Sequence, residues 1–255
     1  MAASDLSVGV FDSGVGGIST LGAMVRLLPA ERFIYFGDTR NAPYGTKTTD
    51  EVIRCVQDVV TELEKERIKA LAIACNTATG AAAAVLRAEK DYPVIGIEPA
   101  LKPAWEAKPT ERILVLATPL TIRQEKFARL MAQYGEHAVP LPCEGLMELV
   151  EKEDEKGARR YLEEIFDRED LAHTGAVVLG CTHYVFLRPM IRAMLPERIL
   201  ITDGNEGTAR QLRRVLKEHG LLREKGPGRV ELRTSGDEAA ALPEMERLLG
   251  KALLL

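Results

Sequence analysis

Two cysteines carry the chemistry this sequence suggests. Cys75 ends the apolar run Ala70-Leu71-Ala72-Ile73-Ala74 and opens Asn76-Thr77-Ala78-Thr79, ahead of the helix-forming Gly80-Ala81-Ala82-Ala83-Ala84. Cys181 ends Ala176-Val177-Val178-Leu179-Gly180 and opens Thr182-His183-Tyr184. Each reads as a buried strand handing over to a helix amino end, where backbone N–H groups and the helix dipole favour negative charge. A thiol at Cys75 is therefore expected to ionise below the free-cysteine pKa of roughly 8.5. One activated cysteine would suggest acyl transfer. Two in matching positions suggest a base on one face of a carbon centre and an acid on the other. One thiolate removes a proton, the opposing thiol returns one, and the roles swap in the reverse direction. An amino-acid α-proton is weakly acidic, so fixed N–H and hydroxyl donors would have to stabilise the carbanion. Asn76-Thr77 and Thr182-His183 follow the cysteines directly and are placed for that task. Asp12 and His183 are candidates to assist proton transfer or to hold the α-ammonium and carboxylate. Taken alone, His183 reads equally well as a capping or buried core histidine.

The elements that must position these residues alternate between strand and helix. Leu6 to Phe11 reads as a strand, followed by Asp12-Ser13-Gly14-Val15-Gly16-Gly17 and a helix over 18–28. The glycines fit neither GxGxxG nor GxxxxGK[ST], which argues against a nucleotide loop. The turn either presents Asp12 and Ser13 to a small ligand or uses them as helix caps. A second strand over 32–37 leads to a polar loop with Pro43-Tyr44-Gly45, which sets a phenol and a bare backbone beside a ligand or simply makes a turn. A helix over 49–66 carries Cys55, read as core. Strands are expected at 92–97, 112–117, 138–142, 199–203 and 228–234, and helices at 122–134, 146–150, 158–168, 188–195, 206–219 and 239–249. The segment 102–109, with Trp105, reads as a change of layer or domain. The charge run Glu151 to Lys156 reads as a solvated face, with Glu151 at its start able to face a site instead. This alternation predicts an α/β fold with parallel sheets, whose ligands sit at the carboxyl ends of the strands. A repeat supports two such halves. Asp12 precedes Cys75 by 63 residues, Thr118 precedes Cys181 by 63, and a shift of 106 carries each pair onto the other. Pseudo-twofold packing of the halves would set Cys75 and Cys181 on opposite sides of one cleft.

Composition narrows the function classes. The chain has 255 residues, 46% of them hydrophobic, and a net charge of −4 with no basic stripe, so nucleic acid is not an expected partner. No stretch approaches the roughly 18 apolar residues of a membrane helix. The first ten residues lack a basic start and a long apolar core, so a cytoplasmic protein is expected. Cys55, Cys75, Cys143 and Cys181 form no CxxC pair or zinc spacing, and the four histidines form no HxxxH. Reduced thiols and no metal site are expected.

Four motifs in this order resemble those of bacterial glutamate racemases, in the aspartate/glutamate racemase family. They are Gly9-Val10-Phe11-Asp12-Ser13-Gly14-Val15-Gly16-Gly17; Gly37-Asp38-Thr39 with Pro43-Tyr44-Gly45; Ala74-Cys75-Asn76-Thr77-Ala78; and Leu179-Gly180-Cys181-Thr182-His183-Tyr184. The likeness extends to Thr234-Ser235-Gly236-Asp237. It implies a cofactor-independent, two-base interconversion of L- and D-glutamate, supplying D-glutamate for peptidoglycan. Cys75 would take the proton from D-glutamate and Cys181 from L-glutamate. Asp12, Ser13, Pro43, Tyr44, Gly45, Asn76, Thr77, Thr182 and His183 would contact substrate. Thr118 and Thr121 match a threonine pair lining the site, and Glu151 matches a glutamate that assists His183. The fold implied is two flavodoxin-like α/β domains, residues 1–97 with 208–255 and residues 98–207, and homodimers are usual. Departures from the family pattern are Gln124 for a serine, Glu144 and Glu148 for prolines, and Val185 for the proline after Cys-Thr-His-Tyr. Aspartate racemisation, a cysteine-dependent amidase and a non-catalytic small-molecule-binding protein are the alternative readings.

Overall fold

Short runs of Val, Ile, Leu and Ala form inner strands buried on both faces, as parallel sheets covered by helices require. The computed structural model describes residues 2–255. The chain forms two compact units, residues 1–98 with 205–255 and residues 99–204. In the first, β1 (Val8–Asp12), α1 (Ile18–Leu27), β2 (Arg32–Gly37), α2 (Thr49–Glu64), β3 (Ala70–Ile73), α3 (Asn76–Glu89) and β4 (Val94–Gly96) follow in order. The second holds α4 (Leu101–Ala107), β5 (Arg112–Ala117), α5 (Pro119–Arg123), α6 (Glu125–Tyr134), β6 (Ala138–Pro142), α7 (Leu146–Glu151), α8 (Glu155–Phe166), β7 (Thr174–Leu179), α9 (Arg188–Met194) and β8 (Leu200–Asp203). The chain then returns to the first unit as α10 (Asn205–Glu218), β9 (Arg229–Thr234) and α11 (Glu238–Ala252).

Both sheets are parallel. The first has the order β4-β3-β1-β2-β9 and the second β6-β5-β7-β8. Removing β9 leaves one shared pattern, in which the first strand lies between the second and third and the fourth flanks the third. This is the start of a flavodoxin-like sheet. The 106-residue shift therefore relates strands at equivalent sheet positions, β1 to β5 and β3 to β7. The added β9 pairs beside β2, with Gly37 opposite Thr234. In the second unit, strand alternation separates two cores: Leu114, Leu116, Val177 and Leu179 face one helix layer, and Ile113, Val115, Ala176 and Val178 face the other. Pro140 and Pro142 lie on β6, an edge strand, where a missing N–H does least harm.

Local chemistry sets several boundaries. A reciprocal pair starts α2: the Glu51 N–H donates to Thr48 Oγ1 at 3.3 Å, and the Thr48 N–H donates to Glu51 Oε2 at 2.8 Å. The single helix expected over 122–134 is instead α5 and α6, broken at Gln124, whose backbone is extended at φ −74°, ψ 144°. Thr118 caps α5 and Pro119 opens it, so a short helix nucleates before the break. The segment 102–109 is mostly helix; Pro103 lies in the first turn of α4, where its missing N–H would have no partner. The chain re-enters the first unit at Asn205 rather than at 208, because the first turn of α10 already joins α1: Thr20 Oγ1 donates to Asn205 Oδ1 at 2.7 Å. Among the described residues no helix is long and apolar enough to cross a membrane.

Candidate functional site

In the first unit the candidate residues gather where the strands end. Asp12 closes β1 and is fully buried, and its Oδ2 accepts the Gly14 N–H at 3.0 Å. Gly17 is obligatory beside it, because a Cβ there would lie 2.5 Å from the Asp12 Cβ and 2.9 Å from the Ala74 Cβ. Cys75 follows β3 in extended conformation and caps α3, its sulfur accepting the Ala78 N–H at 3.4 Å. Ser13 Oγ lies 3.3 Å from the same sulfur. A thiolate there would meet a hydroxyl and the amino end of a fourteen-residue helix. Asn76 and Thr77 form the buried first turn of α3. The Asn76 side-chain oxygen is buried with no hydrogen-bond partner among the described residues.

The Pro43-Tyr44-Gly45 loop lies beside β2, after a cis Ala42–Pro43 peptide. Tyr44 is buried and donates to Asp38 Oδ2 at 2.6 Å. Burial, and then the Asp38 carboxylate, push the Tyr44 phenol far above its ordinary range, so it is a fixed donor. Cys55, expected in the core, is half-buried on α2. Burial raises its thiol pKa.

The second unit surrounds its cysteine differently. Cys181 follows β7 but leads into a 3-10 turn over Thr182–Leu187, not the expected α-helix, and caps nothing through its side chain. Pro189 starts the α-helical run only at α9. The helix-dipole argument is therefore lost at Cys181, and a histidine takes its place. His183 Nδ1 lies 3.8 Å from Cys181 Sγ, and His183 Nε2 lies 2.9 Å from Glu151 Oε1. Burial opposes protonation of His183, but Cys181 and Glu151 outweigh it and raise its pKa well above the ordinary 6.5. Burial likewise works against ionised Glu151, and the bond to His183 prevails, holding that carboxyl below 4.5. The pair is an imidazolium donating from both nitrogens, one to sulfur and one to carboxylate. Glu151 reaches His183 as the last residue of α7, so the charge run begins with an inward-facing member. Thr118 Oγ1 donates to Thr121 Oγ1 at 2.9 Å and accepts the Thr121 N–H at 3.2 Å, beside the end of β5. Thr182 is buried next to Cys181. Cys143 is packed in the core, and burial raises its thiol pKa to about 12, which leaves it unreactive.

Residues 9–212 match the model of the Asp/Glu/Hydantoin racemase family. The chain belongs to this racemase family. A glutamate racemase of Bifidobacterium animalis is 47% identical over 251 residues, covering 94% of this chain and 97% of the relative. One from Clostridium botulinum is 44% identical over 243 residues, covering 93% and 95%. Among solved structures, glutamate racemase RacE1 of Bacillus anthracis superimposes with a TM-score of 0.87 at 31% identity, covering 97% of this chain and 95% of that one. The Thermus thermophilus glutamate racemase, in complex with β-chloro-D-alanine, does so with a TM-score of 0.84 at 35% identity, covering 96% and 93%.

Within this racemase fold, two residues outside the expected set stand among the candidate groups. Asp38 follows β2, and Ser235 follows β9 and donates to Asp38 Oδ1 at 2.5 Å. The rule that singled out Asp12 and Cys75, a polar residue at a strand's carboxyl end, also covers these two. Their glycine and threonine neighbours gave no separate chemical signal.

Proposed function

We propose that this racemase-family chain interconverts L- and D-glutamate without a cofactor, with Cys75 and Cys181 as the two bases. The observation that carries this reading is that two thiols follow topologically equivalent strands, β3 and β7, each with its own stabilising partner. With D-glutamate, the Cys75 thiolate takes the α-proton and the Cys181 thiol delivers one to the opposite face. The product is L-glutamate, with Cys75 left as thiol and Cys181 as thiolate. A turnover from L-glutamate runs the same steps backwards and restores the first state. His183 supports the Cys181 thiolate by donating to its sulfur, and Glu151 holds the imidazolium charged. Ser13 and the Ala78 N–H do the equivalent for Cys75. Fixed donors at Asn76, Thr77, Thr182 and the Thr118–Thr121 pair are candidates to hold the substrate's carboxylates; Tyr44, whose proton is committed to Asp38, contacts substrate through its phenolic oxygen, and Asp12 lies near the ammonium. Supply of D-glutamate to peptidoglycan, a cytoplasmic location and a homodimeric state complete the proposal.

Circular dichroism of L-glutamate in the presence of the protein and no added pyridoxal phosphate should decay to zero. In heavy water, deuterium should enter Cα from both enantiomers. Cys75→Ser and Cys181→Ser should each lower racemisation by about 10²-fold or more. Normal racemisation by both single variants would remove the two-base mechanism, and faster turnover of aspartate than glutamate would reassign the substrate.

A further inference from the structure

The loop bearing Pro43-Tyr44-Gly45 is held from the far end of the chain. Asp38 is almost fully buried, and its carboxylate accepts from three side chains: Tyr44 at 2.6 Å, Asn41 Nδ2 at 3.0 and 3.1 Å, and Ser235 at 2.5 Å. None of these donors is a cation, so the buried charge rests on neutral hydrogen bonds. Ser235 is a two-way link, because its hydroxyl also accepts the Arg40 N–H at 3.1 Å. One residue earlier, Thr234 Oγ1 lies 2.6 Å from Thr39 Oγ1. One residue later, Gly236 presses so close that a Cβ there would stand 2.3 Å from Thr39 Oγ1. Three consecutive residues, the last of β9 and the two after it, thus close on residues 38–40. Fold stability does not by itself require this contact, since β9 is already paired with β2 along six residues.

We propose that Ser235 is a positioning residue of the candidate site, acting through Asp38 to fix the Tyr44 hydroxyl. The strand that departs from the shared four-strand pattern then has a functional reason: it brings a serine to the carboxylate that orients Tyr44. The inference rests on the glutamate-racemase reading, in which Tyr44 contacts substrate. Losing the serine hydroxyl leaves Asp38 short of a donor and Arg40 without its acceptor. Asp38 then turns away from Tyr44, and substrate binding weakens while the proton-transfer groups stay in place.

The test is steady-state racemisation by Ser235→Ala and Ser235→Thr, each made in the unaltered chain and in a Tyr44→Phe background. Ser235→Ala should raise KM for both enantiomers roughly tenfold, with a much smaller change in kcat. Ser235→Thr, which keeps the hydroxyl, should restore KM. In the Tyr44→Phe background, Ser235→Ala should leave KM nearly unchanged, because the group it positions is gone. An unchanged KM in the unaltered chain, or an equal rise in both backgrounds, overturns the proposal. If the unaltered protein does not racemise glutamate, the functional reading fails, and amide exchange then decides the positioning claim. Faster exchange confined to residues 39–47 in Ser235→Ala supports it; unchanged exchange there, or equal acceleration across β9 and α11, overturns it.

Discussion

The thiols of Cys75 and Cys181 have different neighbours, so each half of the proposed reaction can be weakened alone. Enantiomers are equal in free energy, so kcat/KM must stay the same in both directions for any variant. The asymmetry therefore appears in isotope effects. Ser13→Ala removes the hydroxyl 3.3 Å from Cys75 sulfur, which should slow proton transfer at Cys75 and lower kcat/KM by roughly tenfold. The primary isotope effect with α-deuterated D-glutamate should then rise, and that with α-deuterated L-glutamate should fall. Equal change in both would place Ser13 outside the Cys75 step. Glu151→Gln should give the mirror-image pattern and a pH signature. His183 has a folded-state pKa above 6.5, so its share of the pair's stability is complete below 6.5 and fades as pH rises through the raised value. Glu151 is held below 4.5, so its share is present above 4.5 and is lost as pH falls through the lowered value. Both are fully in place between those limits. The melting temperature of Glu151→Gln should fall furthest below that of the unaltered protein there, with the gap closing at alkaline pH. The alkaline fall of kcat/KM should also begin at lower pH in the variant. A difference in melting temperature that ignored pH would mean that the carboxylate does not hold an imidazolium.

At the level of elements, close packing around the strand ends sets the tolerance to change. A methyl at Gly17 would collide with the side chains of Asp12 and Ala74, so Gly17→Ala should cost about 1–3 kcal/mol in urea unfolding and impair activity. A methyl at Gly207, inside α10, meets nothing within 4 Å. Gly207→Ala should be neutral or stabilising by up to about 1 kcal/mol. Equal effects at both sites would show that helix propensity, not crowding, governs these positions. The same contrast explains what could be read from the chain. Val8 to Asp12 and Thr174 to Leu179 are legible as strands because continuous apolar runs are what a doubly covered parallel sheet demands. Cys75 was legible as a helix cap because small polar residues and alanines follow it. Cys181 was misread as its twin at a helix amino end: Tyr184, Val185 and Phe186 are poor helix formers, and the α-helix begins at Arg188, where the sequence itself placed it. The break at Gln124 was hidden because apolar periodicity continues across it, and only backbone dihedrals reveal the change of axis. The contact of Glu151 with His183 spans 32 residues and depends on α7 running its full length. No local pattern encodes that distance, so only the family likeness pointed to it. Ser235 escaped for a related reason: nothing near it in the sequence marks Asp38 as its partner.

Across the whole molecule, one sheet pattern occurs twice, and the extra strand and two helices of the returning chain are fastened to the first copy. At the carboxyl edge of that sheet, Ser235 meets Asp38. At the amino edge, Glu31 precedes β2 and Lys69 precedes β3, and they form an ion pair of 2.6 Å with side chains 0% and 1% exposed. Each group makes one further bond, to a segment distant in the chain. Lys69 Nζ donates to the Ser4 carbonyl at 2.7 Å, and Glu31 Oε1 accepts the Arg223 N–H at 2.7 Å, just after α10. One buried pair thus ties the start of the chain, two central strands and the returning segment together, on the side of the sheet away from the candidate site. Taking two charges out of water costs nearly as much as their attraction returns, so the pair contributes less as a source of stability than as a constraint on which segments meet. Removing one partner is a different matter, because the other stays buried and charged. Lys69→Met should lower unfolding free energy by about 3–5 kcal/mol, whereas Lys69→Met with Glu31→Leu should recover most of that loss. Urea midpoints of the three proteins measure the difference. Racemisation by either variant, assayed where it is fully folded, should match the unaltered protein, since no group at the carboxyl edge is touched. If the double variant were as unstable as the single, the stability at this edge would come from the pair itself. If the folded double variant lost activity, the amino edge would be coupled to the site through the strands that join them.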